Sequence, residues 1–321
     1  MAIQTDRTEH PNDSAHRLFI EVSEQTEQLD IIVSKVVGAT VLDFAVDRAG
    51  TMEAGVRLGE ICMGGQGNIE MFAPPQELEL PSVQVETDSP LLACIGSQYA
   101  GWPISHDRFF AMGSGPMRMS RGKEEILLRY DLHRPSEFVV GVLETNQIPD
   151  EDVIIQIAEQ CQISPQQVCL CVARTASFPG AVQVVARSIE VAMHKLHELK
   201  FDLACIVEAM GTAPLPPIAD DDMTALGWTN DAILYGGKVD MKVETTDESI
   251  EKILDQIPSC SSTEFGLPFL DIFDKYEKDF YKIDKMLFSP AQVAISNITT
   301  GRTFQVGEIR NDVLKQSFGI S

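Results

Sequence analysis

Apolar positions along the chain form unbroken runs in some stretches and helical or alternating patterns in others. EFVVGVLE (137–144) and VCLCVA (168–173) are uninterrupted apolar runs of strand length. Between them, residues 150–161 have helical spacing, with Pro149 and Asp150 near the start of the predicted helix. Residues 181–199 read as one further helix and DLACIVE (202–208) as a third strand. This β-α-β-α-β alternation predicts a parallel sheet with right-handed crossovers. Upstream, 31–37 and 40–46 read as strands flanking Gly38, 54–62 as a short helix ending at MGGQG, 91–100 as another ending at Gly101, and EILLRY (125–130) as a strand. Downstream, IADDDMTALG (218–227) carries the acidic residues that suit a helix N-terminus, and GGKVDMKVET (236–245) alternates like a strand. Residues 247–256 read as helical, 303–307 as a strand and 311–318 as a last helix. The predicted fold class is α/β, with two α/β lobes and a cleft between them. The lobes are 1–135, rich in glycine loops, and 136–321, carrying the helix at 181–199.

Composition narrows the function. Lys and Arg number 25 against 48 Asp and Glu, a formal net charge of −23 over 321 residues. Nucleic-acid binding draws on a basic surface, and no dense Lys/Arg run exists here, so neither nucleic acid nor an anionic membrane surface is an expected partner. A 44% hydrophobic and 23% charged composition is that of a folded chain. No apolar stretch is long enough for a membrane span. The opening MAIQTDRTEHPNDSAHR lacks the apolar core of a secretory signal and reads as a polar lead-in. The seven cysteines are odd in number and most lie in apolar runs, so buried thiols in a reducing cytoplasm are expected rather than disulfides. Cys169 and Cys171, spaced C-x-C on a predicted strand, should share one face. No second ligand pair of metal-binding spacing accompanies them, so no metal is expected.

Candidate chemistry begins on the helix at 181–199. Val182, Val185, Ile189, Ala192, Leu196 and Leu199 make its apolar stripe, while Gln183, Arg187, Glu190 and His194 fall on another face. Arg187 and Glu190, three apart, project side by side. One reading is a solvated ion pair worth about 0.3 kcal/mol. The other is a guanidinium beside a carboxylate in a cleft, where the carboxylate can orient a water and take its proton. Periodicity alone favours the solvated pair.

Four glycine-rich segments, ICMGGQGN (61–68), CIGSQYAGW (94–102), FFAMGSGPMR (109–118) and SFPGAVQ (177–183), read singly as tight turns and jointly as a glycine-lined cleft for a flat ligand. GSGP lacks the lysine of a phosphate-binding loop, no dinucleotide fingerprint appears, and no nucleophile elbow is present. Thr229, Asn230 and Asp231 can hydrogen-bond a heterocycle, or equally build a turn or cap a helix.

EICMGG (60–65), LACIGSQYAGW (92–102), FFAMGSGPMR (109–118), LETNQIPDE (143–151), VARSIEVAMHKLHEL (185–199), TNDAILYGG (229–237), PSCSS (258–262) and DFYKIDKMLFSPAQV (279–293) in this order resemble the methenyltetrahydromethanopterin cyclohydrolase family. The resemblance runs from about residue 54 to the C-terminus. It implies reversible hydrolysis of the N5,N10-methenyl bridge of a tetrahydropterin one-carbon carrier to the N5-formyl form. It also implies no metal or redox cofactor, a cytoplasmic homo-oligomer, specifically a trimer, and a pocket between two α/β domains. It assigns the family's Arg-x-x-Glu pair to Arg187 and Glu190, reversing the preference for a solvated pair, with Glu190 activating water and Arg187 assisting. Ser97, Gln98, Gly113, Ser114, Gly115, Thr229, Asn230 and Asp231 are the implied pterin-binding residues. Archaeal-type relatives carry an arginine where GTAPLPP (211–217) has Thr212, which implies a bacterial-type enzyme of formaldehyde oxidation. Trp228 stands where a smaller residue is common. A folate-type methenyl cyclohydrolase and a non-catalytic pterin-binding module are the competing readings.

Overall fold

The computed structural model describes residues 10–73, 78–279 and 282–320. Its strands form two six-stranded sheets, and the chain divides into two compact units. One unit comprises Met1–Asn68 with Leu91–Gln183, the other Ile69–Pro90 with Val184–Ser321. The boundary expected near residue 135 thus falls inside the first unit.

In the first unit the strands are β1 (Ile32–Val36), β2 (Ala39–Asp43), β5 (Trp102–His106), β6 (Phe109–Ser114), β7 (Val139–Glu144) and β8 (Val168–Ala173), in the order β1-β2-β8-β7-β6-β5. The central strands β2, β8 and β7 run parallel, and β1, β6 and β5 are antiparallel to their neighbours. The runs at β7 and β8 are continuously apolar because both faces are covered. Val139, Leu143, Leu170 and Val172 pack with Ile154 and Ile157 of α6 (Glu151–Cys161). Val140, Val142, Cys169 and Cys171 pack with Phe19 of α1 (Pro11–Ser23) and Leu58 and Ile61 of α3 (Met52–Cys62). Cys169 and Cys171 do share a face. Both are free thiols, and burial pushes Cys169 up to about 11 and Cys171 well above the ordinary cysteine range.

The second unit orders its strands β12-β11-β10-β9-β4-β3. They are β3 (Asn68–Phe72), β4 (Ser82–Thr87), β9 (Ile206–Pro214), β10 (Lys238–Val243), β11 (Gln292–Asn297) and β12 (Arg302–Gly307). Here the alternation is clean: Val239, Met241 and Val243 are buried while Lys238, Asp240 and Lys242 are exposed. The helices α8 (Ser188–Glu198) and α9 (Asp222–Gly236) pack on β9, and α11 (Phe269–Lys275) and α12 (Asn311–Phe318) pack on α9.

Several expectations are corrected. The β-α-β-α-β reading holds through β7-α6-β8, but its third strand joins the other sheet, because β2 already occupies the free side of β8. That strand also starts later than 202, after a 3-10 turn at Leu203–Cys205. Residues 125–129 form the helix α5 (Glu125–Arg129) rather than a strand, burying Ile126 and Leu127 one after the other. The helix expected at 181–199 is two helices, α7 (Phe178–Val185) and α8, separated at Ala186 and Arg187. The helix expected at 247–256 is α10 (Asp247–Glu251) followed by a 3-10 turn at Leu254–Gln256. Of the polar lead-in, residues 1–9 lie outside the described residues, and 11–17 already belong to α1, whose Pro11 sits at the first helical position. Among the described residues no helix is long and apolar enough to cross a membrane.

Candidate active site

The break between α7 and α8 changes the place of the Arg-x-x-Glu pair. Arg187 takes a non-helical conformation (φ −82°, ψ 8°) and starts α8, its carbonyl accepting from Val191 N at 2.8 Å. Glu190 is therefore in the first turn, where the outward N–H groups of a helix start favour a negative side chain. Gln183, Arg187 and Glu190 are 1%, 6% and 6% exposed, so this face is buried and not a solvated stripe. His194, one turn further, is pushed below the ordinary imidazole range by burial, with Glu198 opposing.

The start of α8 rests directly on β9. A Cβ at Gly211 would lie 2.3 Å from Ser188 Oγ and 3.1 Å from Ile189 Cγ1, so a side chain there collides with the first two residues of α8. Further along α8, Lys195 is fully buried and its Nζ donates to Ser261 Oγ at 3.1 Å and to the Met286 carbonyl. Burial pulls its ammonium down to about 8, with the Asp284 carboxylate opposing. Asp284 in turn accepts from Ser262 Oγ at 2.7 Å and Met286 N at 3.0 Å. Two distant segments, 258–262 and 284–287, thus meet around one lysine.

In the first unit three of the glycine-rich segments meet, 94–102 and 61–68 each contacting 109–118. Leu91–Gln98 (LLACIGSQ) is a π-helix, whose wider turn is often found at functional positions. Its last turn meets the end of β6: Gly115 N donates to Ser97 O at 2.8 Å. Gly115 has φ +89°, and a Cβ there would lie 3.0 Å from Val140 O and 3.2 Å from Gly141 Cα and Val142 N, so only glycine fits against β7. Ser114 Oγ donates to Val142 O at 3.3 Å and lies 3.3 Å from Cys62 Sγ, and Gly113 pairs with Trp102 and Leu143 within the sheet. Ser97 and Gln98 are fully buried, and the Ser97 hydroxyl has no hydrogen-bond partner among the described residues. Ser97, Ser114 and Gly115 are brought together, and these three with Gln98 and Gly113 belong to this unit.

Thr229, Asn230 and Asp231 lie inside α9, not in a loop. Thr229 Oγ1 donates to the Ala225 carbonyl at 2.8 Å, and Asn230 Nδ2 to the Leu226 carbonyl at 2.8 Å. Asp231 is fully buried and accepts from Phe269 N at 2.9 Å and Ser317 Oγ at 2.5 Å, tying α9 to α11 and α12. Burial drives its carboxyl up to about 7, against these two hydrogen bonds. Trp228 is half-buried and meets Phe318 edge-on at 6.1 Å between ring centroids, a packing contact.

Three buried polar residues escaped the sequence reading. Asn12 of α1 donates to Pro116 O and Ser120 Oγ and accepts from Val140 N, binding the GSGP turn to β7. Arg118 is fully buried and ion-paired with Glu124. Lys195 is the third. A proline-asparagine pair at a helix start is a local signal for Asn12, but nothing local marks the other two. Among the described residues no group of three or more His, Cys, Asp or Glu side chains is arranged to hold a metal ion.

Residues 11–318 match the protein family described as Cyclohydrolase (MCH). The methenyltetrahydromethanopterin cyclohydrolase of Rhodopirellula baltica is 46% identical over 291 residues, covering 89% of this chain and 87% of its own. Its namesake in Methylobacillus flagellatus is 38% identical over 97% of this chain and 95% of its own. That of Methanocorpusculum labreanum is 40% identical over 95% of this chain and 97% of its own.

Proposed function

Since this chain belongs to the methenyltetrahydromethanopterin cyclohydrolase family, we propose that it hydrolyses N5,N10-methenyl-tetrahydromethanopterin reversibly to the N5-formyl form, with Glu190 activating the water. The positive charge of the substrate's amidinium is shared over both nitrogens, so its bridging carbon is already electrophilic. Water adds to that carbon as Glu190 accepts its proton. The adduct's hydroxyl then gives up its proton as the bond to N10 breaks, N10 takes a proton in its place, and the formyl group stays on N5, so that only the first proton of the water is released overall. No nucleophilic side chain is needed, only a placed water and a base. Arg187 favours the ionised form of the Glu190 carboxylate and helps orient it. The observation that supports these roles is the burial of both side chains at the first turn of α8, within a family match spanning residues 11–318.

The pterin-binding set is Ser97, Gln98, Gly113, Ser114, Gly115, Thr229, Asn230 and Asp231. Asp231 acts through its ties to α11 and α12. The working form is a cytoplasmic homotrimer of the bacterial type, serving formaldehyde oxidation, with no metal or redox cofactor. Thr212, on β9 opposite Lys238, is the position proposed to distinguish carrier tails.

Purified protein mixed with methenyl-tetrahydromethanopterin, and separately with methenyl-tetrahydrofolate, tests this reading. Loss of the methenyl chromophore with the first carrier and not the second is the expected result. Turnover of the folate compound alone identifies a folate-type enzyme, and binding with a persistent chromophore identifies a non-catalytic pterin module.

A further inference from the structure

We propose that Arg118 is a positioning residue for the pterin carrier, acting by fixing the last turn of the π-helix that holds Ser97 and Gln98. This rests on the reading that Ser97 and Gln98 serve pterin binding. A π-helix bonds each carbonyl to the N–H five residues on, so its final carbonyls need outside partners. The last such bond runs from Tyr99 N to Cys94 O at 2.8 Å. The next three carbonyls, Ile95, Gly96 and Ser97, all accept from one nitrogen, Arg118 Nη1, at 3.1, 3.4 and 3.2 Å. A cation at the carbonyl end also complements the dipole of the turn.

The rest of the guanidinium is occupied as well. Its Nε donates to Glu124 at 3.0 and 3.2 Å, its Nη2 pairs with the same carboxylate, and the Tyr99 ring covers it at 4.9 Å. Arg118 begins in α4 (Met117–Arg121), three residues past Gly115, whose N–H bonds the Ser97 carbonyl. One fully buried side chain therefore locks the glycine-rich segment at 109–118 to the one at 94–102, and the fixed end carries the unpartnered Ser97 hydroxyl. Lysine cannot replace it, because a single ammonium has no planar fork to reach both the carbonyls and the carboxylate.

Steady-state hydrolysis of methenyl-tetrahydromethanopterin by Arg118→Lys, Glu124→Gln and the paired Arg118→Met/Glu124→Met tests the proposal. The paired variant removes the buried guanidinium together with its half-buried carboxylate partner, so neither charge is left without the other. Arg118→Lys and the paired variant are expected to raise KM roughly tenfold with kcat within about threefold, and Glu124→Gln to raise KM by about threefold. Folded variants with unchanged KM overturn it. So does the absence of folded protein from all three, which assigns the pair to the fold alone. Gln98→Ala separates the underlying reading: unchanged KM there rejects Gln98 as a pterin residue. A raised KM in Gln98→Ala with wild-type KM in the Arg118 variants rejects Arg118 only.

Discussion

The two units use their sheets differently. In the first, β7 and β8 are covered on both faces, and the polar candidates sit where main chain meets main chain: Ser97 against Gly115, Ser114 against β7. In the second, the sheet alternates, and the Arg187–Glu190 pair rides on the first turn of a helix seated on β9. A doubly covered sheet holds backbone groups rigidly and suits shape recognition. A helix start holds one carboxylate in a position that favours its charge. Substitutions in the first unit should therefore act on binding of the carrier, and those at the start of α8 on turnover.

Among substitutions that leave Glu190 in place, the largest effect that sharpens this contrast is expected at Arg187. Replacing it with leucine removes the cation near Glu190, and kcat should fall roughly 100-fold with KM changed by less than about threefold. A loss carried mainly by KM would place Arg187 with the binding residues instead.

A smaller effect is expected at Gly211. The added methyl of Gly211→Ala meets Ser188 Oγ at 2.3 Å. Overpacking of this kind costs about 1–3 kcal/mol, and here it displaces the turn that carries Glu190. Turnover should drop roughly tenfold and recover in part when Ser188→Ala is added, which relieves the collision. Loss of stability by denaturant unfolding with turnover intact would separate α8 seating from catalysis.

The smallest effect concerns Asp231, which belongs to the helix packing of the second unit. Its folded carboxyl titrates near 7, above the ordinary aspartate value. Between about pH 4 and pH 7 the folded chain keeps a proton that the unfolded chain has released, so stability from this group falls as pH rises through that window. Asp231→Asn imitates the protonated form and keeps an acceptor for Phe269 N. Thermal unfolding should show the wild type losing roughly 5 °C more than the variant between pH 5 and pH 8. Parallel curves would show that Asp231 does not titrate there.

Local pattern foretold the parts of the fold whose burial is local. β7, β8, α6 with its Asp150 cap, β10 and α12 lie close to where their apolar runs and periodicity predict them. Residue type and spacing drew attention to the glycine-rich segments and to Arg187 and Glu190, and the family blocks turned the reading of that pair from a solvated stripe to a site. What periodicity could not see was the break at Ala186 and Arg187, because no proline or glycine marks it and the apolar stripe runs on across it. Nor could composition tell the π-helix at 91–98 from an α-helix, since the two differ in bonding register and not in residue type. The helix α5 was mistaken for a strand because EILLRY is too short for either period to win. Nothing in the local sequence marks Arg118 and Lys195 as buried; their partners lie in segments brought near only by folding, at Ile95–Ser97 for one and Ser261 and Met286 for the other.

The central claim is that Glu190 is the base that activates water, and Glu190→Gln tests it most directly because it keeps size and hydrogen-bonding reach while removing the base. Mixed with methenyl-tetrahydromethanopterin, the folded variant should bind the carrier with near wild-type affinity and hold its methenyl absorbance, with decay slowed by about 10²–10⁴-fold. Decay at close to the wild-type rate would contradict it.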